Sequence, residues 1–385
     1  MPGDIQKRTL LVVSDTAMYR QDGRLLVFDP VLRELKVIED MFDAIIWLGA
    51  RTQRKKGSLK PVDSGKIQAV MLPCVSRSGL INIFFVLLAY PVFLARILKY
   101  LKHATHVHTR APSHPAFLMI LLSLLDKKRI YAHKYAGEWT DKNIPLTYRV
   151  QRSLLKRVRK PNIKVIISGK NEEEAVNVHD MQNPCIYGHE IDAMNELGRK
   201  KDFSKELRLL FVGNLMPSKG IMQLLEALGD NTLHPRYTQL YIAGGGKLLS
   251  DVQGKAKSNT KVKITVSGDI SREELNKLYA DAHLLILPSS SESFPKVVAE
   301  AAAYGCIPVT TSLSAITRQI TDGVNGFLMP DNTPGSILQI LNRVATLNRL
   351  QTVSTAAIEM SRQFTYERFR QRMANVYNIY EGVQG

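Results

Sequence analysis

Ala282-His-Leu-Leu-Ile-Leu-Pro-Ser-Ser-Ser-Glu292-Ser-Phe-Pro-Lys-Val-Val-Ala-Glu300-Ala-Ala-Ala-Tyr-Gly305-Cys-Ile-Pro-Val-Thr310 is the stretch that decides the fold of this chain. Its first seven residues are short and apolar, as a parallel strand buried on both faces requires. Ser289-Ser-Ser-Glu292 then leaves the carboxyl end of that strand, the edge where open α/β sheets hold ligands. Pro295 suits the first turn of the next helix, with Ser293 as a nearby cap, and residues 297–304 continue it to a stop at Gly305. Glu292 therefore stands just before the helix and Glu300 inside it.

Eight helical residues rise about 12 Å, which places the two carboxylates on the order of 10 Å apart. A proton-transfer pair needs closer contact. The separation instead suits two hydroxyl-bearing ends of one long ligand, with the N–H groups of the helix start between them for an anion. The competing reading is a surface helix with two solvated glutamates, and the neighbouring motifs separate the two.

Outward from this stretch the chain alternates apolar runs with helical periods. In the first half the runs are 10–14, 44–48, 67–72, 106–109, 129–133 and 165–168, with helices at 80–102, 116–125 and 148–158. The second half repeats the rhythm at 207–212, 240–243, 262–266, 284–287 and 307–310, with helices at 221–228, 272–280, 297–304 and 336–347. This is the βαβ cadence of parallel sheets. The polar segment 188–205 divides the arrays, giving domains at 1–190 and 191–362, with a closing helix at 363–385.

Leu209-Leu-Phe-Val-Gly-Asn-Leu-Met-Pro-Ser-Lys-Gly220 reads as a strand, a turn after Gly213 and a helix start, whose N–H groups and Lys219 could face a phosphate. An ordinary βα turn has the same pattern. Ala243-Gly-Gly-Gly246 and Val266-Ser-Gly268 follow the next two strands, where absent side chains let backbone approach a ligand.

In order, Pro288-Ser289, Glu292, Phe294, Glu300-Ala301 and Gly305-Cys-Ile-Pro-Val309 resemble the signature of glycosyltransferase family 4, retaining sugar-nucleotide transferases of the GT-B fold. Gly213, Leu215, Lys219-Gly220 and Asp322-Gly-Val-Asn-Gly-Phe-Leu328 match it as well. The resemblance is motif-based over about 205–330 and architectural before that. It implies two Rossmann-like domains facing across a cleft, the first holding the acceptor and the second the donor, with the last helix returning to the first.

By this resemblance Glu292 would bind donor-sugar hydroxyls, Glu300 the ribose, and Lys219 the departing diphosphate. Gly213, Asn214, Gly268, Phe294, Lys296 and Val297 would line the nucleotide-sugar site. His133, in Ile130-Tyr-Ala-His133, would be the histidine that faces the donor sugar from the first domain, with His106 and His108 as alternatives, while Arg110 would meet an acceptor phosphate. Gln21-Asp-Gly-Arg24 would be a vestige of the acceptor loop. Three positions depart from the pattern: Asn214 replaces an arginine, Pro295 replaces a glycine, and the region from Thr311 lacks a Gly-Gly pair.

The implied activity is metal-independent transfer from a UDP- or GDP-sugar to a saccharide or lipid-linked acceptor in polysaccharide or glycoconjugate synthesis, with no cofactor. The alternative is a nucleotide-sugar-binding GT-B protein that no longer transfers.

Composition bounds the rest. The chain has 385 residues and a net charge of +17. Residues 1–190 hold 30 Lys/Arg against 17 Asp/Glu, whereas 191–385 hold 22 against 18, so the first half carries +13 and the second +4. Basic patches at 51–56, 127–129 and 156–160 attract nucleic acid, anionic lipid or acidic substrates, but no nucleic-acid motif accompanies them. Cys74, Cys185 and Cys306 lack metal-ligand or disulfide spacing, so a reducing cytoplasm is expected. Residues 80–95, broken by Asn82 and Pro91, fall short of a membrane span and read as a buried helix or a membrane-surface helix with a basic flank.

Overall fold

A computed structural model describes residues 7–52, 58–73, 80–136, 139, 145–167, 175–292, 294–313 and 316–379. The chain divides into two compact units: unit 1 comprises residues 1–181 and 369–385, and unit 2 residues 182–368. The expected cap Ser293, most of the basic run 51–56 and Cys74 lie outside the described residues.

Unit 1 runs β1 (Thr9–Gln21), β2 (Arg24–Phe28), α1 (Asp29–Val37), β3 (Ala44–Arg51), β4 (Leu59–Pro61), β5 (Ile67–Leu72), α2 (Leu80–Leu101), β6 (His106–Ala111), α3 (His114–Leu125), β7 (Ile130–Tyr135), α4 (Leu146–Arg157), β8 (Ile163–Ile167) and β9 (Val178–Asp180). The first part of β1 pairs in parallel with β3 and β6, in the registers Leu10↔Ile45 and Leu10↔His106. From β1 the parallel sheet extends one way through β3 to β5 and the other way through β6, β7 and β8 to β9. The end of β1 turns back on β2 in an antiparallel hairpin, Met18↔Val27 to Gln21↔Arg24.

Gln21-Asp-Gly-Arg24, read from the sequence as the vestige of an acceptor loop, is the turn of this hairpin. Asp22 and Gly23 take φ of 48° and 75°, the paired left-handed conformation that closes a two-residue hairpin whose twist matches its strands. Of α2, residues Val86, Ala89, Phe93, Ile97 and Leu101 are buried, a three-and-four spacing that presents one stripe to the sheet. On other positions of the helix Leu88 is 55% exposed and Leu98 46%. Among the described residues no helix is long and apolar enough to cross a membrane.

Unit 2 runs α5 (Gly188–Arg199), β10 (Leu207–Val212), α6 (Ile221–Ala227), β11 (Tyr237–Ala243), α7 (Leu249–Ser258), β12 (Lys263–Gly268), α8 (Arg272–Asp281), β13 (Leu284–Leu287), α9 (Lys296–Ala303), β14 (Ile307–Thr311), β15 (Phe327–Met329), α10 (Pro334–Ala345) and α11 (Leu350–Ser361). Its strands are all parallel, in the order β12-β11-β10-β13-β14-β15. The direction of winding therefore reverses between β10 and β13, the position where doubly wound sheets bind ligands beyond the carboxyl ends of their strands.

Two sequence readings are revised here. The polar stretch from Gly188 is α5 rather than a connector, because Ile191, Met194, Asn195 and Gly198 form a buried stripe. Pro295 is the N-cap of α9, not a residue of its first turn. A last helix, α12 (Tyr366–Val376), carries Phe369 and Met373 into the hydrophobic core that holds Leu10, Val12 and Trp47 of unit 1.

Candidate active site

At the switch point of unit 2, two loops meet. One follows β10 and contains Gly213, Asn214 and a tight 3-10 turn, Pro217–Lys219, while the other follows β13 and contains Ser289 to Glu292. Gly220 makes their approach possible. Its φ is 70°, and a Cβ there would lie 2.0 Å from the Pro288 carbonyl oxygen, so neither the conformation nor the space admits a side chain. The Ser290 amide donates to Ser218 O at 2.8 Å and locks the loops together.

The result is a direct ion pair between Lys219 Nζ and Glu292 Oε1, and the Ser289 hydroxyl donates to the same carboxylate oxygen at 3.2 Å. Ser289 is held in turn by Thr311, whose hydroxyl donates to Ser289 O at 2.5 Å. The separation of 73 positions between Lys219 and Glu292 is thus bridged by backbone packing that fixes both side chains at the sheet edge.

Glu300 lies one turn into α9 and is 8% exposed. Arg272 Nη1 sits 2.7 Å from its Oε1, and the Tyr279 hydroxyl donates to its Oε2 at 3.0 Å. Both partners come from α8, two turns apart on one helix, whose start is secured by a Ser271–Glu274 capping box. Burial, and then the Glu300 charge, push the Tyr279 phenol well above its ordinary range, so it stays a donor. The sequence reading named Glu300 but missed Arg272 and Tyr279. The capping box was the available signal for where α8 begins, and hence for what its first turn offers.

Gly213 and Asn214 line a hollow of about 490 Å³ with Gly244, Gly245, Gly246 and Asp269. Gly244 has φ of 137°, and a Cβ would lie 2.1 Å from Gly213 O, so the triplet lets β10 and β11 end almost in contact. The Gly245 amide donates to Asp269 Oδ1 at 2.7 Å. Asp269, next to the predicted Gly268, was not singled out by sequence.

Phe294 stacks on Phe364 with centroids 4.7 Å apart and rings 12° from parallel, which anchors the loop before α9. Lys296 opens α9, and its carbonyl accepts from the buried Cys185 thiol at 3.7 Å. Val297 packs against the core. The Asp322-Gly-Val-Asn-Gly326 match is a turn tied to α10: Asp322 Oδ1 accepts from Leu328 N at 3.0 Å, Asn325 Oδ1 from Thr321 N at 2.8 Å, and Asp322 Oδ2 from Arg343 Nη2 at 2.8 Å.

His133 differs from its expected role. It is wholly buried in unit 1, with Nδ1 2.8 Å from the Thr109 hydroxyl and Nε2 3.0 Å from the Ser123 hydroxyl. Burial lowers its pKa to about 3. With both nitrogens engaged inside the unit, it stands as a satisfied core histidine. The alternatives fare no better: His106 and His108 are both buried, each bonded to Tyr377. Arg110 is also committed, at 2.6 Å from Glu34 Oε2, which Lys134 approaches to 3.0 Å.

Residues 194–360 match the family model "Glycosyl transferases group 1". An uncharacterized glycosyltransferase of Methanocaldococcus jannaschii is 26% identical over 269 residues, 68% of this chain and 66% of that protein. A D-inositol 3-phosphate glycosyltransferase of Nocardioides sp. is 27% identical over 186 residues, 44% of this chain and 41% of that protein. The matched stretches thus span less than two thirds of these relatives.

Among solved structures, sucrose-phosphate synthase from Thermosynechococcus elongatus superposes with a TM-score of 0.70 at 16% identity, covering 97% of this chain and 98% of that one. Anabaena HepE, solved in complex with UDP and glucose, gives 0.65 at 15% identity over 97% and 100%. The fold is GT-B, and residues 194–360 match the group 1 glycosyltransferase family model.

Proposed function

We propose that this chain, whose second unit matches the group 1 glycosyltransferase family model, moves a sugar from a nucleoside diphosphate sugar to a saccharide or lipid-linked acceptor, with retention at the anomeric carbon and without a metal. One observation carries the reading: Lys219 and Glu292 meet at the switch point of unit 2, in the same parallel sheet edge that leads into α9 and the buried Glu300. In this reading Glu292 accepts hydrogen bonds from the donor sugar and Glu300 from the ribose. The diphosphate lies against Lys219, where it draws the lysine away from Glu292.

Lys219 and the amides at the start of α9 stabilise negative charge as the diphosphate leaves, a term that grows toward the transition state. The freed phosphate oxygen takes the proton of the attacking hydroxyl, so the new glycosidic bond forms on the face from which the old one departs. Asn214 hydrogen-bonds without charge where the family pattern has arginine, and Pro295 donates no amide. Donor affinity therefore rests more heavily on Lys219 and Lys296.

Leu88, Val92 and Leu98 of α2, Leu121 and Leu125 of α3, and Leu146 and Val150 of α4 are exposed, and α4 also carries the basic residues Arg149, Arg152, Lys156 and Arg157. This combination supports docking on an anionic membrane. Sedimentation with phosphatidylglycerol vesicles at low salt, reversed at high salt, is the expected behaviour.

The transfer reading is tested by incubating purified protein with a panel of UDP- and GDP-sugars and acceptor extracts, with products read by mass spectrometry. A glycosylated product that disappears in Glu292→Gln supports it. Donor binding with no product across the panel favours the alternative of binding without transfer.

A further inference from the structure

Unit 1 has a switch point of its own, because β1 pairs with β3 on one side and β6 on the other. Beyond it lies a cavity of about 230 Å³, bounded by Asp15 of β1, Arg51 at the end of β3, Leu72 at the end of β5, Phe93 of α2 and His114 at the start of α3. The Asp15 side chain is exposed by surface area but enclosed by surrounding atoms, as a group inside a concave site is. Burial raises its pKa, opposed by its own backbone amide and by the charges of His114 and Arg110. Tyr90 Oη lies 3.1 Å from His114 Nδ1 and fixes the imidazole.

A second hollow, about 550 Å³, shares Arg51, Leu72 and Pro73 with the first and adds Arg20 and Arg96. Among the described residues no carboxylate lines it, and none of these three arginines forms an ion pair. Arg96 is braced by donating to Met71 O at 3.0 Å. Like charges gathered around one hollow repel each other, and an anion placed among them relieves that cost.

We propose that the two joined cavities bind a single ligand with a hydroxylated ring and a phosphate, the ring beside Asp15 and His114 and the phosphate among Arg20, Arg51 and Arg96. Leu72, Phe93 and Pro115 present apolar surface to the C–H face of a sugar or polyol ring, while the Asp15 carboxylate accepts from its hydroxyls. Guanidinium forks hold phosphate oxygens two at a time. Naming this ligand as the acceptor rests on the transferase reading, whereas the site itself does not. The phosphate belongs either to a soluble sugar phosphate or to the head group of a lipid diphosphate.

Calorimetry of the full chain with glucose 1-phosphate, glucose, inorganic phosphate and farnesyl diphosphate tests the proposal. Glucose 1-phosphate should bind at least about tenfold more tightly than glucose or phosphate alone, as two added interactions require. The Arg20→Ala/Arg51→Ala double variant should lose about tenfold for glucose 1-phosphate and nothing for glucose. Asp15→Asn should weaken both sugars alike. The Arg20→Gln/Arg51→Gln pair replaces the alanines if circular dichroism shows them unfolded.

Tighter binding of farnesyl diphosphate assigns the phosphate to a lipid carrier, and tighter binding of glucose 1-phosphate assigns it to a soluble sugar. Glucose 1-phosphate binding that matches phosphate, that survives loss of both arginines, or that is absent together with farnesyl diphosphate binding overturns the site. UDP titrated into the Arg20→Ala/Arg51→Ala variant, whose unit 1 site has lost its phosphate grip, reports on unit 2, so its failure to bind there would sink the transferase reading and leave this site standing.

Discussion

Replacing Arg272 with alanine isolates the pair that holds Glu300. The Glu300 side chain is 10% exposed and that of Arg272 is 37% exposed. Removing one member of a fully buried pair costs about 3–5 kcal/mol, because a charge is left without compensation. Here a third of the arginine already sees solvent, and the Tyr279 hydroxyl still donates to the carboxylate, which reduces the expected loss to about 1–2 kcal/mol. For a unit of this size that is a fall of roughly 3–6 °C in the melting temperature.

The assay is urea unfolding followed by far-ultraviolet circular dichroism on the wild type, Arg272→Ala, Glu300→Gln and the double variant. Arg272→Ala should cost about 1–2 kcal/mol alone and at least about 0.5 kcal/mol less when Glu300→Gln is already present. A coupling energy indistinguishable from zero, or an unchanged midpoint for Arg272→Ala, would refute the reasoning.

Three further outcomes are expected. Gly220→Ala puts a Cβ against Pro288 O at 2.0 Å with φ of 70°; it should destabilise unit 2 by about 2–4 kcal/mol and weaken UDP binding. Trp47 and Trp139, both in unit 1, should still report a normal unfolding curve. His133 has a folded pKa of about 3, far below that of the unfolded chain, so its contribution to stability is complete above about pH 6.5 and shrinks as pH falls toward 3. Stability read by tryptophan fluorescence should therefore drop by up to about 1.4 kcal/mol per pH unit for this residue, and His133→Gln should flatten the slope by about one proton. Asn214→Arg should raise UDP affinity by about threefold to tenfold, since a charged donor replaces a neutral one beside the glycine triplet; calorimetry measures it.

Strands buried on both faces were the most legible parts of the chain. Leu207–Val212 and Leu284–Leu287 match the apolar runs residue for residue, because a parallel strand covered on both sides can tolerate few polar positions. The hairpin at the end of β1 was harder, since Tyr19, Arg20 and Gln21 are polar and the Asp22-Gly23 signal also fits a binding loop. Helix α5 was hidden because its buried stripe contains only two large apolar residues, Ile191 and Met194.

In the candidate site, Lys219, Glu292 and Glu300 were legible as types at set distances from strand ends. What they touch was not. Arg272 and Tyr279 reach Glu300 only once β12 and α8 have folded beside α9, and no local pattern encodes that. His133 shows the same limit from the other side. Its hydroxyl partners, Thr109 and Ser123, lie 24 and 10 residues away, and without them a strand-end histidine looks available for chemistry.

The central claim is that unit 2 grips a nucleoside diphosphate sugar through Glu292, Lys219 and Glu300. Calorimetric titration of UDP- and GDP-sugars into the wild type and Glu300→Ala tests it most directly. The account predicts that at least one donor binds, and that Glu300→Ala weakens it by about tenfold or more through lost ribose hydrogen bonds to a charged acceptor. Binding of no donor by the wild type, or equal affinity in Glu300→Ala, would contradict it.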